Sequence, residues 1–455
     1  MTVASGGTLD MGTEASPIPT GTTAHLVLAY GSGASRYGLT VNNGGNFTVR
    51  GATKTPYGFA LANILAADTS LTIAASSATG WQAGDVITIG PTTGNGVATT
   101  STRTITSITG TDPLTINWAD ILGTARTISS TSPIVVANLT RNVLVRSSGT
   151  DTATAGTGST AYIRNLAQNA NGFILAYGEF AYLGRNTASQ YGITLDNANT
   201  LAAISNSTIR HGYRGISAVL NADGNSYIGN IIFENGLGLY LEASANNLIK
   251  SNIVHANSGS GISLQGSPGW NDNNTIAANY VYSNASYGIN TLGSNHSIYL
   301  NWSYSNSADG ILLSAPGSIL AHNKFYRNAN SGVQLNSVGT LIGNETYANA
   351  YGLATYNEPA SRLFADSLGY GNGKAQADAV SELFIGTNGN ENLTMKGVRI
   401  NPSPGFSTTN LNAAGKYVVS YNQDYATGTV RLWGDYTVSG STLTLDYASQ
   451  LYTST

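Results

Sequence analysis

From residue 230 onward the chain sets two asparagines five residues apart, over and over: Asn230 and Asn235, Asn252 and Asn257, Asn279 and Asn284, Asn301 and Asn306, Asn323 and Asn328, Asn344 and Asn349. The pairs recur at intervals of 22, 27, 22, 22 and 21 residues. Each is followed by Gly and an aliphatic residue, as in Gly238-Leu239, Gly288-Ile289 and Gly310-Ile311. Gly215-Ile216 opens the series, with Asn206 in the leading position and His211 where the second Asn falls. A period near 22 is too short for a four-stranded propeller blade and carries no 3.6-residue apolar repeat, so the pattern predicts a β-solenoid with one coil per period. Coils stack at about 4.8 Å, which turns equivalent positions into columns. In an Asn column each amide donates to one neighbouring coil and accepts from the other, satisfying groups that would otherwise be buried unpaired. Gly is expected where the chain turns with positive φ before the next strand.

Composition limits what such a body does. Charged residues make up 9 % of the chain and net charge is −3, against roughly 25 % charged in ordinary domains. Without a basic run the phosphate backbone of a nucleic acid has nothing to bind, which excludes that partner. The absence of cysteine excludes a disulfide framework and thiolate chemistry and accords with an extracellular or cell-surface location. No apolar run reaches the ~18 residues of a membrane span, so no membrane insertion is expected. The histidines sit at different offsets on separate repeats, so neither a metal site nor a cofactor is expected. The opening "MTVASGGTLD" has no basic or apolar leader, and the expectation is a piece of a larger secreted chain.

Upstream, "YGLTVNNGGNFTVRGATKTP" and "GWQAGDVITIG" read as short strands broken by Gly and Asn turns, and "LTRNVLVRSS" as the strand leading into the coils. These stretches, with "AYLGRNTASQYGITLDN", "ISNSTIRHGYRGI" and "NIIFENGLGLYLEASANNLIKSN", resemble the Gly-rich opening and first repeats of the cell-migration-inducing hyaluronidase and fibrocystin families. The resemblance implies a right-handed parallel β-helix, all-β, with a Gly-rich β domain over 1–150 and the helix over 151–400. A C-terminal β module is expected over 401–455, where the Asn pairs give way to alternation and a "VSGST" hairpin signal. In the hyaluronan-degrading relatives, histidines lie where Thr194, Asp196 and Leu237 stand here, whereas Arg214 and Glu242 match. The resemblance thus implies a body that keeps charged residues of the site and has lost its imidazoles.

Two sets of site residues follow. Arg214, Glu234 and Glu242 lie on adjacent repeats, and Arg210 and Glu234, four residues after Asn206 and Asn230, are expected to share a column. Glu234 and Glu242 can supply the carboxyl pair of a glycan-cleaving site, with a surface ion pair as the plainer reading. The second set is aromatic: Tyr282, Tyr304 and Tyr326 three residues after a leading Asn, Tyr280 and Trp302 one after it, and Trp270 on a five-residue insertion. Strand alternation sends the first and third positions outward, giving either a stripe of rings for a sugar to pack on or a ladder of rings stacked on one another. Three functions stay open: a non-catalytic module that binds polysaccharide or cell-surface glycan or self-associates, a polysaccharide-cleaving enzyme, and an inert spacer.

Overall fold

The structure, a computed structural model, describes residues 1–31, 37–94, 96, 98–129, 132–151 and 160–355, and beyond them a series of strand segments. It divides into two compact bodies, Met1–Gly94 with Ala98–Gly259, and Asn95–Val97 with Ser260–Thr455.

In the first body the chain coils through three parallel sheets. Sheet A stacks Thr2–Val3, Gly38–Val41, Tyr162–Asn165, Ile193–Asp196, Arg214–Val219 and Leu237–Glu242. Sheet B runs from Thr8–Met11 to Leu248–Lys250. Sheet C runs from Ala24–Leu28 through Val143–Ser147 to Ile253–His255. Inward positions such as Leu39, Phe47, Ile163, Ile216 and Leu239 have no exposed surface and fill the lumen. Coiling therefore begins at Thr2. Residues 51–142 are an insertion into the second coil, between Arg50 of sheet B and Val143 of sheet C. It folds as antiparallel ribbons on its own core of Ile73, Trp81, Ile87, Ile116 and Trp118. The Gly-rich β domain that the resemblance implied over 1–150 thus contains coils of the helix itself, since Ala24–Leu28, Gly38–Val41 and Asn46–Arg50, before the insertion, pair with Val143–Ser147, Tyr162–Asn165 and Phe173–Ala176 after it.

The second body repeats the arrangement, with Ile262–Gln265, Ile289–Thr291, Ile311–Leu313 and Ser331–Leu335 in one sheet and Tyr280–Tyr282, Trp302–Tyr304, Lys324–Tyr326 and Glu345–Tyr347 in another. Farther on, Thr442–Asp446 pairs antiparallel with both Lys416–Tyr421 and Tyr436–Ser439.

The Asn columns run as amide ladders. Asn279 Nδ2 donates to Asn301 Oδ1 at 2.9 Å, Asn301 to Asn323 at 3.0 Å and Asn323 to Asn344 at 3.0 Å. The second column does the same through Asn284, Asn306, Asn328 and Asn349. Each Oδ1 also accepts the backbone N–H of the preceding ladder Asn, as Asn301 does from Asn279 N at 3.0 Å.

The residue before each ladder Asn adopts the left-handed conformation, whatever its type: Gly229, Ser251, Ala278, Leu300 and His322 before one column, Glu234, Ala256, Ser283 and Arg327 before the other. The strain of about 1–2 kcal/mol at each non-Gly corner is offset by the amide bonds it sets up. The Gly of the Gly-aliphatic pairs has a different task from the one expected. A Cβ on Gly310 would lie 2.6 Å from Gly332 O and 2.7 Å from Asn328 Nδ2, and one on Gly215 2.7 Å from Gly238 O. Close approach between coils demands glycine there, not positive φ.

The same rule corrects the register of the first repeat. Asn206 itself is left-handed, at φ 49°, so it is the corner residue. Ser207 N donates to Asn230 Oδ1 and Gly212 N to Asn235 Oδ1, which puts Ser207 and Gly212 in the two ladder positions.

Candidate functional site

That one-residue shift decides which charged groups meet. Arg210 pairs in register with Phe233, not with Glu234. Its carboxylate partner is Glu179, one coil earlier: Nη2 and Nε lie 2.6 and 2.8 Å from Glu179 Oε1. His211 and Glu234 are the left-handed corner residues of successive coils, both at φ 53°, so they share a column. His211 Nδ1 lies 3.2 Å from Glu234 Oε2. The imidazole stacks on Tyr182 with centroids 4.9 Å apart. Burial, reinforced by the Arg210 charge, pushes His211 down to about 4 from 6.5. At neutral pH the ring is therefore uncharged, so its 3.2 Å approach to the Glu234 carboxylate is not an ion pair. Burial raises the Glu234 carboxyl while Arg210 opposes the rise.

These four side chains line one wall of a cleft of about 350 Å³; Phe233 is its buried apolar floor, and Val86, Thr102, Leu139 and Thr140 of the insertion form the other wall. Glu179 and the insertion's contribution escaped the sequence reading. The insertion's signal was the pair of stretches "GWQAGDVITIG" and "LTRNVLV", whose Val86, Leu139 and Thr140 line the cleft.

Arg214 and Glu242 stand apart from Glu234. Both are on sheet A, where the Arg214 guanidinium is held between the rings of Tyr191 and Tyr240, 3.9 and 3.7 Å from their centroids. Tyr240 donates its hydroxyl to Glu242 at 3.1 Å, and Arg164 Nε lies 2.6 Å from Asp196 Oδ2 on the same sheet. Glu234 follows the end of a sheet C strand, so the structure does not assemble the expected trio into one centre.

The aromatic stripe is corrected as well. Tyr282, Tyr304 and Tyr326 are 0, 1 and 0 % exposed. With Tyr347 they form a ladder, centroids 4.6 to 4.9 Å apart and planes within 19°. Strand alternation fails there because the strand ends at that ring and the next residue turns the corner. Tyr280 and Trp302 are half-buried, 5.7 Å apart, with the Lys324 ammonium 4.7 Å above the indole. Trp270 is 63 % exposed on a loop tied by the Gly269 N–H to Asp272 Oδ2. Among the described residues no group of three or more His, Asp or Glu is placed to hold a metal, and no helix is long and apolar enough to cross a membrane.

A sequence profile of the right-handed β-helix region family matches residues 137–303 and 269–363. The chain is a right-handed parallel β-helix. Solved structures similar to this β-helix include the periplasmic alginate epimerase AlgG, at 19 % identity over 58 % of this chain and 68 % of its own, with a TM-score of 0.49. They also include the tailspike gp61 of Pseudomonas phage phi297, at 11 % over 84 % and 66 %, TM-score 0.31, and pectate lyase Pel9A, at 12 % over 58 % and 70 %, TM-score 0.36. No curated protein matches the sequence.

Proposed function

We propose that this β-helix is an extracellular, non-catalytic glycan-binding module whose ligand enters the cleft between the insertion and sheet C. The observation that carries the reading is the composition of that cleft: an apolar floor at Phe233 flanked by fixed hydrogen-bonding groups, in a volume of about 350 Å³. A sugar ring presents an apolar face and a rim of hydroxyls, and such a lining suits both. Arg210 and Glu179 hold each other in place, so they bring orientation without a mobile charge. Both Glu179 contacts to Arg210 use Oε1, so that oxygen is already committed to the guanidinium, which favours binding over cleavage. The aromatic positions first expected to hold sugar are replaced in this reading by Phe233 and His211.

A second reading, cleavage, draws on the raised Glu234 carboxyl, which suits a general acid. Both are tested by passing a panel of polysaccharides over immobilised protein while following polymer length by size-exclusion chromatography. The binding module retains at least one polymer at unchanged length. Glu234→Gln weakens retention by about ten- to a hundredfold, the worth of one hydrogen bond to a charged group. Shortening that disappears in Glu234→Gln replaces the binding reading with the enzyme, and a panel that passes unretained and uncut rejects both.

A further inference from the structure

A second cleft, of about 230 Å³, opens beside the first, with Thr140 in the lining of both. Its only charged lining residues are two cations, Lys54 and Arg141; the rest are neutral and include Thr20, Thr22, Thr53 and Gln82. Both cations are deeply buried, at 8 and 4 % exposure.

Their existing partners do not use them up. Arg141 Nε donates to Asn206 O, and Nη1 to Asn138 O and Thr140 O, but the buried Nη2 has no hydrogen-bond partner. Lys54 Nζ lies 2.6 Å from Asp85 Oδ1. Asp85 is already committed elsewhere: its Oδ2 accepts Asn138 Nδ2 at 2.8 Å and Gln82 N at 3.0 Å. Arg141 is also drawn toward Glu179, more strongly than toward Asp85, but Glu179 is itself paired with Arg210, so three cations, Lys54, Arg141 and Arg210, face two carboxylates. Desolvation lowers both cations from their ordinary values, Arg141 to about 10. A buried donor without an acceptor and an unbalanced buried charge are each costly, and an anion at the same place relieves both.

We infer that this cleft is a binding site for a tetrahedral or planar oxyanion, a sulfate, phosphate or carboxylate group, held by Arg141 and Lys54 with threonine hydroxyls around it. Arg141 also ties the insertion strand at Asn138 to the coil corner at Asn206, so filling the site stiffens that junction. The inference stands whatever occupies the first cleft.

The test uses the whole chain and compares wild type with Thr53→Glu, an exposed cleft position where a carboxylate competes for the cations without touching the Arg141 bonds. Thermal unfolding is followed in sodium sulfate and sodium phosphate against sodium chloride of equal ionic strength, and in a second arm with a sulfated and a carboxylated oligosaccharide against a neutral one. A ligand at 100 times its dissociation constant shifts the folding equilibrium about 100-fold. The wild-type midpoint is expected to rise with at least one oxyanion, and the rise to be lost in Thr53→Glu. A response to the free ions identifies a small-anion site; one confined to the oligosaccharides places the oxyanion on a sugar. Equal responses in wild type and Thr53→Glu, or none in either arm, overturn the proposal. Arg141→Met, which opens the junction, serves only as a folding control.

Discussion

Asn306 shows how much one residue carries in this chain. Its Oδ1 accepts from Asn284 N at 3.1 Å and Asn284 Nδ2 at 3.0 Å, and its Nδ2 donates to Asn328 Oδ1 at 3.0 Å, all without exposure to water. Asn306→Ala removes the buried acceptor that both Asn284 groups share, and the expected loss is about 2–4 kcal/mol in chemical denaturation. His255 adds a pH dependence. Its ring stacks on Phe233 at 5.2 Å and 6° and is fully buried, which pushes its pKa down to about 3. The unfolded chain takes up this proton below about pH 6.5, whereas the folded protein resists it down to about pH 3. Stability from this group is therefore complete above pH 6.5 and lost as pH falls toward 3, at up to about 1.4 kcal/mol per pH unit. His255→Phe keeps the stack, and denaturation midpoints measured across that range should show a flatter acid limb than wild type.

At the scale of the element, the tyrosine ladder separates packing from hydrogen bonding. The Tyr304 hydroxyl is buried and, among the described residues, without a partner, while its ring lies 4.9 Å from Tyr282 and 4.6 Å from Tyr326. Tyr304→Phe is expected to leave stability within about 1 kcal/mol of wild type or to raise it, and Tyr304→Ala to lower it by about 3–5 kcal/mol through the cavity it opens. Neither change should reduce glycan retention; a selective loss of retention in a stably folded Tyr304→Phe would restore the ladder as a binding surface. The ladder also marks where sequence reading succeeds and fails. Period, coil and the Asn columns are legible because each position repeats and each repeat confirms the others. Whether the third strand residue faces water is not, because the left-handed corner after it leaves no mark in the sequence: Gly, Ser, Ala, Leu, His and Arg all occupy such corners. Asn206 shows the hazard, a corner residue that looks like a ladder residue, and it moved Arg210 away from Phe233 on paper. For the same reason Glu234 was found as a candidate while its true neighbour, His211, was set aside.

At the scale of the whole molecule, the insertion is what gives the repetitive coils of the first body a distinctive place. Arg50 pairs with Ala176 and Val143 with Gly178, so Arg50 and Val143 bracket the gap that Tyr177 alone fills one coil later, at φ 54°. Residues 51–142 therefore occupy a corner that the next coils turn with one left-handed residue, Tyr177, Asn206 and Gly229. Their removal was illegible in composition, since both flanks and the insertion itself read as short strands, and only the pairing across them shows that they are an addition. Replacing 51–142 with a single Asn, the residue other than Gly best suited to that conformation, should leave the coils intact. Stability in such solenoids is a sum of each coil and its contacts with the next. Circular dichroism and gel filtration of the shortened protein report whether the coils persist. Glycan retention then locates the site. The loss of one wall of the cleft should abolish retention while the coils remain folded. Retention undiminished in the shortened protein would move binding onto a coil face, with the Tyr191, Arg214 and Tyr240 stack on sheet A as the next place to mutate.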